Sequence, residues 1–254
     1  MEPVAGPRRF KRLAFRVLVA AATLTLAWQL VSWTEPVAAF AVLETLTPNL
    51  VWRVRTDRPL VGLSFDDGPD PTHTPEVLAI LEEYDSTATF FLIGERAQRH
   101  PELVQRIKAA GHEVGNHYFV GGATLGHSDE DFLDYLQRTE KVAGIQGVPK
   151  LFRPPGGVAW PRQLKIAREH GYTCVLGSAY PHDPSHPPVW YIRWLIDKNL
   201  APGAIVILHD GIQDPSRSIE ALPAVLAAGK ARGFRFVSIG QLMRSAKSAP
   251  RTEQ

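Results

Sequence analysis

Short apolar runs alternate with amphipathic stretches along most of the chain, and this alternation limits the fold more than any other feature of the sequence. Residues 60–65, 87–93 and 204–208 are apolar runs of strand length, and residues 130–142 carry apolar side chains near helical spacing. Strands that alternate with helices form a parallel sheet covered by helices. About seven such units fit into roughly 190 residues, so the sequence predicts an α/β fold, an incomplete or distorted (β/α) barrel.

Polar residues stand where the predicted strands end. In (β/α) barrels the carboxyl ends of the strands meet at one mouth, and the catalytic residues lie there. Five clusters occupy such positions: Asp66-Asp67, Asn116-His117, Arg153, residues 178–183 and His209-Asp210. Their convergence predicts a single active site at the mouth of the barrel.

Several of these residue types are suited to metal-assisted hydrolysis. One carboxylate of the pair Asp66-Asp67 can hold a metal ion while the other takes a proton from water. The alternative is a structural turn, since Asp-Gly-Pro is common turn chemistry. His117 is either a metal ligand or a structural histidine.

The other candidates supply a proton, a fixed positive charge and backbone donors. His209 follows a buried-strand pattern, at a position suited to a general acid. Arg153 either clamps Asp66 or belongs to a surface salt bridge. The loop after Arg153 reads Pro154-Pro155-Gly156-Gly157. The prolines make its start rigid, and the glycines leave the backbone N–H groups uncovered, so that these groups can face an oxyanion.

Charge and composition exclude several classes of function. The net charge is +2, but residues 1–16 alone carry +4, so the rest of the chain sums to −2 and has no basic stripe for nucleic acid. Cys174 is the single cysteine, which excludes an internal disulfide and a cysteine-rich zinc site. The sequence has no G-x-S-x-G elbow and no phosphate loop. A cluster of aromatic residues is either a helical core stripe or a sugar-stacking platform: Trp190, Tyr191 and Trp194.

The N-terminal region predicts a membrane or export segment. Residues 1–16 form a basic tail and residues 17–33 an uncharged apolar stretch, an arrangement that keeps the tail in the cytoplasm and sends the rest across the membrane. We expect a membrane anchor with the catalytic domain outside the cytoplasm. A cleaved signal before a secreted protein is the main alternative, with an A-x-A site at residues 39–41. A connector (34–57), a catalytic domain (58–244) and a polar tail (245–254) follow.

The motifs, in this order, resemble those of the polysaccharide deacetylases of the NodB-homology family (carbohydrate esterase family 4). SFDDGP resembles the first motif, EVGNH the second, Arg153-Pro154-Pro155 the third and ILHD the fifth, and Asp183 stands at the last aspartate of the fourth. The resemblance covers about residues 59–242. It implies a hydrolase that removes N-acetyl groups from chitin, chitooligosaccharides or peptidoglycan, usually with zinc or a similar divalent ion.

The resemblance also implies a role for each matching catalytic residue. Asp66 would be the general base, and Arg153 would orient it. His209 would be the general acid, and Asp183 would orient it. Gly156 stands where the family has an aromatic residue that contributes its backbone N–H to the oxyanion, a contribution that glycine can also make.

The metal site departs from the family pattern. Asp67 and His117 match two metal ligands, but the second histidine of the motif, four residues after His117, is replaced by Gly121. Catalytic zinc usually takes three protein ligands. We expect His127 to supply the third if its loop folds back. Two carboxylates are further candidates: Asp129 and Asp131.

Two other functions are compatible with this pattern. Gly121, together with Tyr180 at the first aspartate of the fourth motif, favours a glycan-binding pseudoenzyme. A hydrolase of another amide substrate is the third possibility, because a fold alone does not define its substrate. The retained acid and base favour the deacetylase, with an N-acetylated glycan as its partner.

Overall fold

The parallel sheet predicted from the sequence is present. The structure, a computed structural model, describes residues 7–35 and 37–247. Within them all strand pairs are parallel, in the order β1-β6-β5-β4-β3-β2-β7, with β8 also paired to β2. The strands are β1 (Leu50–Val51), β2 (Leu60–Gly68), β3 (Thr89–Leu92), β4 (Glu113–Asn116), β5 (Lys150–Phe152), β6 (Tyr172–Val175), β7 (Ile205–His209) and β8 (Arg235–Val237).

Helices connect the strands, as the parallel arrangement requires. Three short 3₁₀ turns lie at residues 124–126, 155–157 and 183–185. The helices are α1 (Pro7–Thr34), α2 (Val37–Leu46), α3 (His73–Glu83), α4 (Gly94–Arg99), α5 (Pro101–Ala109), α6 (Asp129–Ala143), α7 (Pro161–Glu169), α8 (Val189–Asn199), α9 (Ser216–Ala231) and α10 (Ile239–Lys247).

The sheet curls towards closure without forming a regular barrel. β6 pairs with β1, but the chain that follows β6 crosses to β7, where Ala179 forms a parallel bridge with Val206. The backbone N–H of Ser178 donates to the carbonyl of Ile205 at 3.0 Å. The prediction of an incomplete or distorted (β/α) barrel is therefore confirmed. The predicted connector contains α2 and β1, so the sheet begins before residue 58.

Alternate residues of each strand pack on opposite sides of the sheet. Phe65 and Phe90 face the helices and stack with ring centroids 5.2 Å apart. Phe91 belongs instead to the apolar cluster that also holds Ile239 and Leu242 of α10. Because both faces are covered, the strands are apolar along most of their length. Cys174 is buried in the core, as predicted.

The N-terminal segment is helical, but the transmembrane anchor is not confirmed. α1 covers the predicted apolar stretch, and several of its apolar side chains are exposed, including Leu18, Leu24 and Leu26. Among residues 7–35 and 37–247, no helix combines the length and the apolar character needed to cross a membrane. Residues 1–6 of the basic tail and 248–254 of the polar tail lie outside the described residues.

Candidate active site

The carboxyl end of β2 presents two carboxylates on the same side of the sheet. Successive residues of a regular strand point in opposite directions. Asp67 has a left-handed backbone, with φ of 69°, and the pairing of β2 with β3 shifts its register between Asp66 and Gly68. This irregularity, a bulge in the strand, lets both aspartates line one cavity of about 470 Å³. The left-handed residue stands directly before the Gly68-Pro69 turn.

Arg153 holds Asp66 in place. Its Nη1 donates to Asp66 Oδ1 at 2.6 Å and to Ser64 Oγ at 2.8 Å. Its Nε and Nη2 donate to the carbonyls of Val175 and Leu176, and its guanidinium lies 4.1 Å from the ring centre of Phe91. Arg153 is only 2% exposed, so the structure excludes the surface salt bridge and supports the clamp.

His117 and Asp67 form a second pair beside the first. His117 Nδ1 lies 2.8 Å from the carbonyl oxygen of Arg153, and its Nε2 lies 3.4 Å from Asp67 Oδ1. A hydrogen bond from Nδ1–H to a carbonyl orients the ring of many metal-ligating histidines, and here it leaves Nε2 directed at Asp67. Burial acts to raise the pKa of Asp67, but the hydrogen bond and charge of His117, with smaller contributions from His209 and Arg96, hold this pKa at about 2.

The third pair consists of His209 at the end of β7 and Asp183. Asp183 Oδ1 lies 2.9 Å from His209 Nδ1, and Asp183 Oδ2 accepts hydrogen bonds from the backbone N–H of His209 at 2.9 Å and from Ser218 Oγ at 2.7 Å. Burial acts to lower the pKa of His209, but the charge and hydrogen bond of Asp183, helped by Asp66 and Asp67, raise it to about 9. His209 is therefore protonated at neutral pH, the state that a general acid requires.

Gly156 lines the same cavity. Its backbone is left-handed, with φ of 66°, a conformation that glycine adopts without the strain that a side chain brings. The structure thus brings together most of the residues that the sequence singled out: Asp66, Asp67, His117, Arg153, Gly156, Asp183 and His209.

His127 does not join this group. Its Nδ1 lies 3.1 Å from the hydroxyl of Tyr118, and its ring packs against Tyr135. The other two candidates are also engaged elsewhere, because Asp129 pairs with Arg162 at 2.9 Å and Asp131 contacts Ser128 at 2.7 Å. The described part of the chain contains no group of three histidine, cysteine or carboxylate side chains that could hold a metal ion. Asp67 and His117 therefore fit as two ligands, but the protein ligand set of a catalytic zinc is incomplete.

Several residues of the cavity wall were not among the sequence candidates. Three come from the segment before β2: Glu35, Phe40 and Trp52. Tyr180 was considered only as a departure from the fourth motif, and its ring lies 6.0 Å from that of His209. Asp210, the partner of His209 in the sequence cluster, is buried and accepts a hydrogen bond from Thr74 at 2.5 Å instead. Trp190 and Trp194 line a separate groove between α8 and α9.

This geometry agrees with comparisons to known proteins. The family model "Polysaccharide deacetylase" matches residues 53–175. A peptidoglycan-N-acetylglucosamine deacetylase from Bacillus cereus is 42% identical over 204 residues, which cover 78% of this chain and 94% of that protein. The chain belongs to the polysaccharide deacetylase family. This assignment confirms the resemblance found in the sequence motifs.

Solved structures of the same family share the fold. The crystal structure of a peptidoglycan N-acetylglucosamine deacetylase superposes with a TM-score of 0.73 at 29% identity, and covers 77% of this chain and 93% of its own. A pseudoenzyme of carbohydrate esterase family 4 from Bacillus anthracis superposes with a TM-score of 0.70 at 27% identity, and covers 79% of this chain and 71% of its own. The fold of this chain is therefore similar to that of an enzyme and to that of a pseudoenzyme of the family.

The Asp183–His209 pair predicts a pH dependence that can be measured directly. Asp183→Asn removes the charge that raises the pKa of His209, so we expect this pKa to fall from about 9 towards the ordinary histidine value of ~6.5. The raised pKa stabilises the folded state fully below pH ~6.5, and this stabilisation is lost as the pH rises through 9. NMR titration of His209 and urea unfolding at several pH values measure both effects.

Ser218→Ala, which keeps the charge of Asp183, is the control and should shift the pKa of His209 much less. An unchanged pKa in Asp183→Asn would contradict the assignment.

The incomplete ligand set predicts weak zinc binding that one substitution strengthens. A Cβ at Gly121 would contact only Ile93 Cδ1, at 3.8 Å, so a side chain fits there. We expect Gly121→His to tighten zinc binding to the full chain by about tenfold or more, because it adds a third ligand.

Competition with a zinc-sensitive dye measures this affinity. Gly126→His, in the same loop and also with open space around its Cβ, is the matched control and should leave zinc affinity unchanged. Tight binding by the unmodified chain that is lost in His127→Ala would show that His127 completes the site after all.

Proposed function

We propose that the chain removes N-acetyl groups from amino-sugar glycans of the chitooligosaccharide or peptidoglycan type. The observation that carries this proposal is the pairing of Arg153 with Asp66 and of Asp183 with His209 around a single cavity. Arg153 gives Asp66 a fixed positive partner, and Asp183 keeps His209 protonated at neutral pH, so the cavity holds a base and an acid on separate groups, as such a hydrolase requires. A relative with 42% identity is named as a deacetylase of peptidoglycan N-acetylglucosamine, which supports the substrate class.

The reaction divides between these groups. Asp66 takes a proton from a water molecule, whose oxygen attacks the carbonyl carbon of the acetamide. The backbone N–H of Gly156 faces the oxygen that gains negative charge. His209 then donates its proton to the sugar nitrogen as the carbon–nitrogen bond breaks, which yields acetate and a free amine. Arg153 and Asp183 act as positioning residues, because they hold the base and the acid rather than contact the substrate.

The role of a metal ion stays a separate proposal. Asp67 and His117 would hold a divalent ion such as zinc, which in hydrolases polarises carbonyl oxygens and acidifies water. Because the described residues do not provide a third ligand, no step above is assigned to the ion.

A glycan-binding pseudoenzyme is the second candidate. Gly121 leaves the metal site with two ligands, and a pseudoenzyme of the same family has a similar fold. Such a protein would bind the acetylated glycan in the same cavity without releasing acetate. Retention of the charged base and acid pairs supports the enzyme over this alternative, since a binding protein has no need of them.

The predicted location also belongs to this proposal. Basic residues precede the apolar stretch of α1, and its exposed apolar side chains, such as Phe15 and Leu26, support contact with a membrane during export or anchoring. We expect the chain outside the cytoplasm, either anchored or secreted after cleavage. Cell fractionation with protease protection tests this expectation, and recovery of the whole chain from the cytoplasm would contradict it.

Replacement of the base tests the proposed reaction. Asp66→Asn keeps a hydrogen-bond acceptor for Arg153 but removes the basic carboxylate, so we expect acetate release from a chitooligosaccharide to fall by about 10²–10⁴-fold. Enzymatic detection of acetate measures this loss, and circular dichroism confirms folding at the assay temperature. His209→Gln should have a similar effect and serves if Asp66→Asn fails to fold.

Asp57→Asn, an exposed substitution of the same type, is the control and should retain full activity. Retention of full activity in both Asp66→Asn and His209→Gln would contradict the proposed base and acid.

A further inference from the structure

The segment from Glu35 to Trp52 forms one wall of the catalytic cavity. Glu35, Phe40 and Trp52 line the cavity together with Asp66 and His209. All three wall residues lie outside the stretch 53–175 that matches the family model. The segment therefore adds a surface to the active site that the catalytic motifs do not account for.

This wall is held in place at both ends. Before Glu35, the hydroxyl of Tyr191 donates to the carbonyl of Trp33 at 2.6 Å, and the rings of Trp33 and His182 lie 5.0 Å apart. At the other end, β1 pairs with β6, and the N–H of Leu176 donates to the carbonyl of Val51 at 2.8 Å. Glu35, Phe40 and Trp52 therefore lie between two points at which the chain is bound to the rest of the fold.

Glu35 places a carboxylate on the side of the cavity that holds His209, the proposed general acid. Its Oε2 accepts a hydrogen bond from the backbone N–H of Tyr180 at 2.8 Å, and the ring of Tyr180 lies 6.0 Å from that of His209. Burial raises the pKa of Glu35 to about 7, against the opposing hydrogen bond of Tyr180 and the charge of Lys198. A carboxylate in such a site is costly unless donors satisfy it, and the hydroxyl groups of a sugar are suitable donors.

Two aromatic rings complete the wall. The ring centres of Phe40 and Trp52 lie 5.9 Å apart, and the indole N–H of Trp52 donates to Thr47 Oγ1 at 2.9 Å, which fixes the ring. Phe40 is only 6% exposed and packs behind Trp52, so the partly exposed indole of Trp52 supplies the apolar surface of the wall at little entropic cost. A pyranose ring has both features that this wall would recognise, because its hydroxyl groups lie around an apolar face of C–H bonds.

We propose that Glu35 and Trp52 bind the sugar unit that carries the acetamide, with Glu35 accepting a hydrogen bond from a ring hydroxyl and the indole of Trp52, supported by Phe40, packing against the sugar ring. The wall then determines how tightly a glycan binds in the cavity. This inference rests on the proposed function for the identity of the substrate, but the binding step itself does not depend on turnover.

Calorimetric titration with penta-N-acetylchitopentaose tests the wall without relying on catalysis. The full chain carries Asp66→Asn as background, so that the glycan is bound but not consumed. We expect Glu35→Ala to raise Kd by about tenfold, and the nearly isosteric Glu35→Gln, which keeps an acceptor oxygen, to raise it less. Trp52→Leu should also raise Kd. Val42→Ala, an exposed position of α2, is the matched control and should leave Kd unchanged.

Kinetics in the native background distinguish binding from general structural effects. Glu35→Ala should raise KM by a similar factor while kcat stays within about twofold, because Glu35 does not take part in proton transfer. Unchanged Kd and KM in Glu35→Ala and Trp52→Leu would overturn the inference and leave the proposed function intact. Tighter binding in these variants would also overturn it, since the segment would then obstruct the cavity. Absence of acetate release by the unmodified chain would contradict the proposed function alone, because the Kd comparison does not need turnover.

Discussion

Arg153 lies buried under the mouth of the barrel, and its guanidinium joins the strands that build the site. It binds Ser64 and Asp66 of β2, the carbonyls of Val175 and Leu176 at the end of β6, and the ring of Phe91 in β3. A buried ion pair is strongly destabilised when one partner is removed, typically by about 3–5 kcal/mol, because the other charge is left uncompensated. The carbonyl of Arg153 also positions His117. The position of Asp66 thus depends on the side chain of Arg153, and the position of one potential metal ligand depends on its backbone carbonyl.

A second buried pair of opposite charges, Asp183 and His209, lies across the cavity from Arg153 and Asp66. Asp183 contacts the ring of His209 through Oδ1 and its backbone N–H through Oδ2. The hydroxyl of Ser218 in α9 donates a further hydrogen bond to Asp183 Oδ2. Each candidate catalytic group has its own buried partner of opposite charge, Arg153 for Asp66 and Asp183 for His209. In the proposed reaction, this separation lets one group take a proton from water while the other supplies a proton to the leaving amine.

Sequence reasoning found the candidate catalytic residues because they end apolar strands, and parallel strands bring their carboxyl ends together. It could not find the bulge at Asp67, which depends on how β2 pairs with β3. His127 was expected near the metal ligands, but its contacts with the aromatic residues Tyr118 and Tyr135 hold it elsewhere, and only the packed structure shows this. The wall formed by the segment from Glu35 to Trp52 was missed for a related reason: a stretch interrupted by prolines looks like a connector until its tertiary contacts are known.

The central claim is that the two charged pairs support hydrolysis although the metal ligand set is incomplete. Incubation of the unmodified full chain with a fully N-acetylated chitooligosaccharide, followed by quantification of acetate and of free amines, tests this claim most directly. The account predicts that acetate and amine appear in equal amounts and that the glycan backbone stays intact. Binding of the glycan without release of either product, at every divalent metal tried, would contradict it and would identify the chain as a glycan-binding pseudoenzyme.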